Sequence, residues 1–456
     1  EEAWQVYRAM EAYAREKGDA ALEADALNRL ATAATVSSDP DVDVRGMLER
    51  AEALSRQAGD ALTLARTLWN QGLRYRFHDP ARSDEFFRRA LEITRSPACL
   101  EQPNADEFRE LEAFILIDLM VSRMTSGHRR KALTAGAEAL QAFQRLGNRA
   151  MIADAGAGLG LMRFEAGEFD EALRLSDEGR DISTSIGNPW GISYNGWIRL
   201  AVFADRGEWT EGLTLGEALL QVSRNVPFIG IRGSLNGLMS AIWICLGDPH
   251  RAVAYAQAMR EVVEGASGVE LWGKWSAGVL GRARLAAGDL AGSAAVLEPH
   301  RTLPPGNGPV SQDYFHAGPA IAALDVAQEA WERGLPFATS LLERLQAERV
   351  ERYTAEMCYW RARLYLGLGS LHEADADLRH AVELLTPARA NALLWPARAL
   401  RSEVLDRLHD GAAAAQERAL AAALVGTIHS GLSEPLRRTF ASQPAVAALL
   451  ELTRTA

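Results

Sequence analysis

Cysteine is nearly missing: Cys99, Cys245 and Cys358 stand more than a hundred residues apart in a chain of 456, and none belongs to a CxxC pair. That spacing excludes a disulfide framework and a thiolate zinc knuckle, and it fits a reducing, cytoplasmic setting. Proline is held to 17 residues and no run of 18 or more apolar residues occurs, so neither a low-complexity chain nor a membrane-spanning helix is expected. Basic charge is in deficit, with 49 Lys and Arg against 60 Asp and Glu and a net charge of -11. Binding along a phosphate backbone needs clustered cations to displace counterions, so nucleic acid is not an expected direct partner. The first residues, Glu1-Glu2-Ala3-Trp4, lack the regions of a signal peptide and begin without Met inside a helical pattern. The chain is therefore expected to be a piece of a longer polypeptide.

Motifs that carry chemistry are missing as well. There is no GxxxxGK[ST] to cradle phosphates, no GxSxG and no HExxH. Gly156-Ala157-Gly158-Leu159-Gly160 superficially matches a dinucleotide loop, but Leu161 stands where the last glycine belongs and no strand precedes it, so these glycines are assigned to helix packing. His372 and His380 are eight apart, and His300 and His316 flank a Pro-rich stretch with no third ligand nearby. No metal, no other cofactor and no catalytic residue is expected; the chain reads as non-enzymatic.

What is present is a period. Gly167-Glu168-Phe169, Gly207-Glu208-Trp209, Gly247-Asp248-Pro249 and Gly288-Asp289-Leu290 each end one apolar-patterned segment and open another, about 40 residues apart. A fixed period of this size marks a solenoid, whose units bury their apolar faces by stacking on neighbours. A second set of breaks, Gly18-Asp19, Gly59-Asp60, Gly147-Asn148 and Gly187-Asn188, falls midway. Glycine supplies a left-handed C-cap, and the following Asp or Asn caps the next helix. Further hairpin tips are expected near Asp39-Pro40, Asp79-Pro80, Gly127, Gly334, Gly369 and Gly411. The fold class is thus all-α, about ten antiparallel helix hairpins. Residues 96–106 and 299–313 interrupt the rhythm, and the Pro and Gly of the second forbid helix. The expected organisation is repeats over 1–298, a joint at 299–313, and repeats with capping helices over 314–456.

Leu159-Gly160, Phe164, Gly167-Glu168-Phe169 and Ala172-Leu173 resemble the tetratricopeptide repeat: a small residue inside helix A, an aromatic near its end, Gly at the tip and Ala in helix B. The small residue recurs seven positions before the turn as Gly72, Gly160, Ser240, Gly281 and Ala362, while Leu200 departs from it. The 40-residue length resembles the repeats in sensor regions of large bacterial signal-transduction ATPases, including the maltose-regulator type of transcription factor and cyclase-linked ATPases. The stretches Leu432–Phe440 and Pro444–Leu450 are similar to the closing helices of such arrays. The resemblance implies a right-handed superhelix with helix A lining its concave side, and places any ATPase or cyclase activity in a preceding module.

In tetratricopeptide geometry, positions 13, 10 and 6 before each tip face inward. Those columns hold Arg66 and Trp69, Tyr194 and Trp197, Trp275 and Arg282, and Glu356, Tyr359 and Arg363. Aromatics there suit a peptide or organic ligand, and Arg282 and Arg363 suit a carboxylate. Trp69 and Trp197 fill space between helices equally well, and Trp209, Trp243, Trp272 and Trp360 are assigned to that role. The expected function is an effector-sensing or protein-interaction domain of a signal-transduction or transcription regulator, with a protein, peptide or small effector as partner. The rivals are a scaffold that homo-oligomerises through its terminal helices, and a cytoplasmic peptide-pheromone receptor using Asn70, Asn195 and Asn236.

Overall fold

The structure, a computed structural model, describes residues 2–37, 42–76, 79–226, 229–264 and 270–455. The expected tip at Asp39-Pro40 lies outside them. The described residues are helix and turn without a β-strand. Packing divides the chain into two units, Glu1–Ala155 and Gly156–Ala456; residues 299–313 lie inside the second.

The first unit holds α1 (Glu2–Lys17), α2 (Ala20–Ser37), α3 (Val44–Ala58), α4 (Ala61–Tyr75), α5 (Pro80–Thr94), the single turn α6 (Pro97–Leu100), α7 (Ala105–Thr125) and α8 (Arg129–Leu146). Helix α9 (Arg149–Glu165) spans the division. The second unit continues with α10 (Phe169–Ser185), α11 (Pro189–Arg206), α12 (Trp209–Val222), α13 (Ile229–Leu246), α14 (Pro249–Glu264), α15 (Glu270–Ala286), α16 (Leu290–Leu297) and α17 (Tyr314–Ala327). It closes with α18 (Trp331–Ala347), α19 (Glu351–Gly367), α20 (Leu371–Ala388), α21 (Asn391–Arg407), α22 (Gly411–Gly431), α23 (Glu434–Ala441) and α24 (Pro444–Thr455). Helices joined by short turns pack on one another, as α4 on α5 and α7 on α8 in the first unit and α13 on α14 and α21 on α22 in the second.

The punctuation works as the residue chemistry requires. Gly127, Gly167, Gly207, Gly247, Gly288 and Gly369 all take positive φ, the left-handed conformation that an L side chain resists. Asp60 and Asp289 accept hydrogen bonds from Thr63 N at 3.0 Å and Gly292 N at 2.8 Å, capping the helices that follow. Gly334 is a correction: it lies inside α18, and the turn before that helix is made by Glu329 at φ 55. What Gly334 supplies is room, since a Cβ there would come within 2.8 Å of Asp325 Cβ and Leu364 Cδ2. Gly411 likewise opens α22, and the left-handed residue of that turn is His409 at φ 63.

The small residue of helix A permits close approach. A Cβ on Gly72 would meet the Phe87 ring at 2.5 Å, and one on Gly281 would meet Leu297 at the same distance. Leu200 departs from the pattern because the facing helix compensates. Gly212 and Gly216 lie opposite it, with Leu200 methyls 3.7 and 3.3 Å from where their Cβ atoms would stand. The bulk has changed sides of one interface.

The second unit does not stay open. Helix α11 lies against α21, and α13 against α23. Ser433 N donates to Thr210 Oγ1 at 3.0 Å and Gln443 Nε2 to the Cys245 carbonyl at 3.0 Å. Trp209 meets the Phe440 ring edge-on at 5.3 Å. Three of the four corners that define the period are part of this closure: Gly167 faces Glu351, Gly207 faces Ile428 and Gly247 faces Gln443, while Gly288 has nothing within 4 Å of a built Cβ. Gly207 and Gly187 separate closure from backbone strain, because both have positive φ but only Gly207 has a neighbour, Ile428 Cγ1 at 2.8 Å from a built Cβ. Replacing each by Ala should cost about 1–2 kcal/mol in strain, with Gly207→Ala costing about 1–2 kcal/mol more from the clash, read from urea midpoints. Equal midpoints for the two variants would mean that the corner is free.

The expected joint at 299–313 is helical at its start, where Pro299 and His300 finish a 3-10 turn (Glu298–His300), and residues 301–313 are tied down without being helical. Arg344 donates to the carbonyls of Pro304, at 3.0 Å, and Gly306, and Arg301 bridges to Asp325 at 2.7 and 3.0 Å. Among the described residues no helix is long and apolar enough to cross a membrane.

Candidate functional site

Seven alternate helices, α9, α11, α13, α15, α17, α19 and α21, place side chains on the wall of one cavity of about 140 Å³. These are the A helices of seven successive hairpins. The wall is mainly apolar and aromatic, as small-molecule sites are. Trp272 stacks on Trp275 at 4.9 Å, Trp275 on the His316 imidazole at 4.4 Å and 5°, and Trp197 tilts against Trp275 at 6.1 Å. Gly278 lets α15 approach α17 so closely that a Cβ would lie 2.7 Å from the backbone of His316 and Ala317. That approach brings Trp275 and His316 into register.

A chain of charges crosses the cavity wall. Arg352 donates to both oxygens of Asp205, at 2.7 and 3.0 Å, and also to Glu356; Arg282 binds the other oxygen of Glu356. Asp205 and Arg352 are 147 residues apart, so the pair joins the early and late repeats. Gln312 Nε2 spans the same separation to Glu165 Oε1 at 2.8 Å. A fork-on-carboxylate pair fixes geometry as well as charge.

Burial sets the protonation states. Desolvation holds the His316 imidazole down at about 3, with the nearby Arg352 charge acting in the same direction. Burial alone would push the Glu356 carboxyl up, but Arg282 and Arg352 outweigh it and hold it at about 2. Burial pushes the Cys245 thiol up to about 11 and raises the Tyr353 phenol, whose oxygen lies 3.1 Å from His316 Nε2 in a hydrogen bond. None of these four groups changes charge near neutral pH, which suits fixed recognition rather than proton transfer. His316 and Glu356 are both depressed from their ordinary 6.5 and 4.5. Their neutral and ionised forms therefore favour the fold above those values, and stability should fall on acidification from pH 6.5 towards 3 for His316 and from 4.5 towards 2 for Glu356. A His316→Gln variant should lose less stability between pH 6.5 and 4.5 than the parent, in melting curves taken across that range.

One donor on the wall is unused. Trp197 is 6% exposed and, among the described residues, its Nε1 has no hydrogen-bond partner. Trp243 and Trp360 also leave Nε1 unbonded, but neither lines the cavity. A buried N–H without an acceptor costs on the order of 1–3 kcal/mol, which an acceptor on a bound molecule would offset.

Four of the nine groove residues meet here: Trp197, Trp275, Arg282 and Glu356. Tyr194 stacks behind Trp197 at 6.3 Å. Tyr359 and Arg363 lie further along α19, with the Arg363 guanidinium over the Tyr359 and Trp360 rings, and do not line the cavity. Arg66 and Trp69 belong to the first unit, where Arg66 pairs with Asp25 at 3.1 Å and Trp69 donates to Asp118 at 2.9 Å. Asn70, Asn195 and Asn236 are buried and bond to Asn28 and to the carbonyls of Gly191 and Arg232. Asp205, Arg352, His316 and Gln312 fall outside the three inward columns. Glu165, Asp205 and Cys245 each stand two residues before a tip glycine, and all three line the cavity. That column is the signal that marks the inner rim.

Residues 355–384 match the tetratricopeptide repeat family, which places the match on α19 and α20, with Glu356 of α19 on the cavity wall. Among curated proteins no sequence relative is found. Solved structures similar to the chain include a Rap protein complexed with competence and sporulation factor, at 11% identity and TM-score 0.48 over 91% of this chain and 99% of that one. They also include a signal transduction ATPase with numerous domains and a tetratricopeptide repeat sensor from Pyrococcus horikoshii, at 10% identity and TM-score 0.39 over 94% of this chain and 54% of that one. A third is the Cut9–Hcn1 hetero-tetramer, at 10% identity and TM-score 0.43 over 98% and 96%. The chain is an all-α array of tetratricopeptide-like helix hairpins. Such arrays are interaction folds, typically non-catalytic, whose inner surfaces take proteins or peptides.

Proposed function

We propose that this chain is the effector-sensing and protein-interacting array of a bacterial, cytoplasmic signal-transduction or transcription regulator, and that the second unit receives its effector in the cavity between Trp197, Trp275, Arg282 and Glu356. The observation that carries this reading is the unbonded, buried Trp197 N–H on the wall of an aromatic cavity that also holds the part-exposed Arg282 guanidinium. The 40-residue repeat, similar in length to those of bacterial sensor regions, supports the regulatory setting. A cavity of about 140 Å³ is close to the engineered void that admits benzene, about 150 Å³. The occupant is therefore a compact planar molecule with an acceptor, or one side chain of a partner peptide, rather than an extended peptide backbone. Closure around it links occupancy to the contacts at Gly207 and Gly247, so binding favours the closed form.

The test is calorimetric titration with compact aromatic carboxylates, preceded by a thermal-shift screen. Trp197→Ala and Arg282→Gln should each weaken the best binder about tenfold or more, the loss of roughly one good polar or stacking contact. Arg363→Glu should leave it unchanged. Binding that survives the first two changes, or falls only with the third, removes the cavity as the receptor.

A further inference from the structure

The first unit carries a separate cleft of about 210 Å³ between α3, the C-terminal end of α4, and α5. In a chain of net charge -11, four arginines line it, Arg45, Arg74, Arg82 and Arg89, against two glutamates, Glu49 and Glu52.

Both glutamates are already engaged. Arg45 donates to Glu49 at 2.7 Å. Glu52 receives Arg56 at 2.8 Å and Arg89 at 3.0 Å on one oxygen and Gln71 at 3.0 Å on the other. The Arg74 and Arg82 guanidiniums meet no carboxylate among the described residues; Asp79 takes the Arg82 backbone N–H, at 3.1 Å, instead. Arg74 donates to the Tyr75 hydroxyl at 3.1 Å, and Arg82 lies over the Tyr75 ring, 4.3 Å from its centroid. Tyr75 in turn stacks on Phe86 at 5.8 Å and 9°, so the guanidinium rests on a braced aromatic platform. Arg82 also occupies the first turn of α5, after Pro80, where the helix's own partial positive charge, offset in part by the Asp79 cap, gives a cation no support. Two guanidiniums without a carboxylate partner share a single recess.

We propose that this cleft binds a phosphomonoester dianion. A tetrahedral dianion offers an oxygen pair to each of two guanidinium forks, whereas one carboxylate satisfies a single fork. Arg45 and Arg89, held by their own glutamates, complete the positive rim. The proposal is independent of the cavity in the second unit.

The experiment titrates the full chain, in phosphate-free buffer at constant ionic strength, with inorganic phosphate in one arm and an end-blocked phosphoserine pentapeptide in the other; chloride and the unphosphorylated peptide are the controls. The expected result is saturable heat with phosphate or phosphopeptide and none with the controls, and the stronger arm names the source. Arg74→Gln and Arg82→Gln should each weaken binding about tenfold or more, the loss of one charge-assisted fork. Arg88→Gln, an exposed arginine paired with Asp84, should not. A second readout guards against a folding artefact: without anion, Arg82→Gln should melt within about 3 °C of the parent, the loss of one exposed cation–π contact of roughly 1 kcal/mol. Binding retained by the Arg74→Gln, Arg82→Gln double variant, or heat equalled by chloride, would overturn the assignment.

Discussion

Replacing Arg352 by Ala should lower the melting temperature of the second unit by about 10 °C. Arg352 is the shared partner of Asp205 and Glu356, and the first of these contacts joins residues 147 apart. Removing Arg352 strands the Asp205 carboxylate, and breaking a buried pair in this way costs about 3–5 kcal/mol, while each kcal/mol moves the midpoint of a domain this large by roughly 2–4 °C. The double variant Arg352→Ala, Asp205→Ala should recover part of the loss, since one stranded charge is gone; Glu356 keeps Arg282. A double-mutant cycle followed by near-ultraviolet circular dichroism reads the coupling directly. Additive losses would mean that the Arg352–Asp205 contact does not hold the late repeats to the early ones.

Gly278→Ala should cost about 2–3 kcal/mol although it adds one methyl group to a helix. The obstacle is the backbone of His316 and Ala317 at 2.7 Å, which cannot rotate away as a side chain can. Helices α15 and α17 must part, and the Trp275–His316 stack parts with them, so tryptophan emission should shift and ligand affinity should fall together with stability. Gly273→Ala, on the same helix with nothing within 4 Å of its Cβ, should instead gain up to about 1 kcal/mol from helix propensity. The opposite signs separate close approach from helix propensity, and urea unfolding of the two variants checks them. Two variants of the same sign would contradict the close approach.

Much of this architecture is legible in the chain because it is local. A tip glycine such as Gly167 states its own φ, and a capping Asp60 states the next helix. Where the C-terminal turns use Glu329, Arg349, Arg389 and His409 in the left-handed region, the glycine signal disappears and Gly334 misleads. The column argument reached Trp197, Trp275, Arg282 and Glu356 because inward-facing positions follow from helical periodicity. It did not reach Arg352 or Gln312, whose partners Asp205 and Glu165 lie 147 residues away. Their meeting depends on curvature accumulated over several repeats, a small rotation per unit that no single turn encodes. The same holds for the cavity: an open groove and a closed one share the same repeat pattern.

The central claim is that the repeats of the second unit close on themselves around the Trp197–Trp275 cavity, and a distance across the closure tests it most directly. Spin labels at Thr210→Cys and Ser433→Cys, with the three native cysteines replaced by serine, report on residues 223 apart in sequence whose atoms are hydrogen-bonded in the fold. The structure predicts strong dipolar broadening of the frozen spectrum relative to the singly labelled proteins. Spectra that superimpose on the sum of the two single labels would show an open array and contradict the enclosed site.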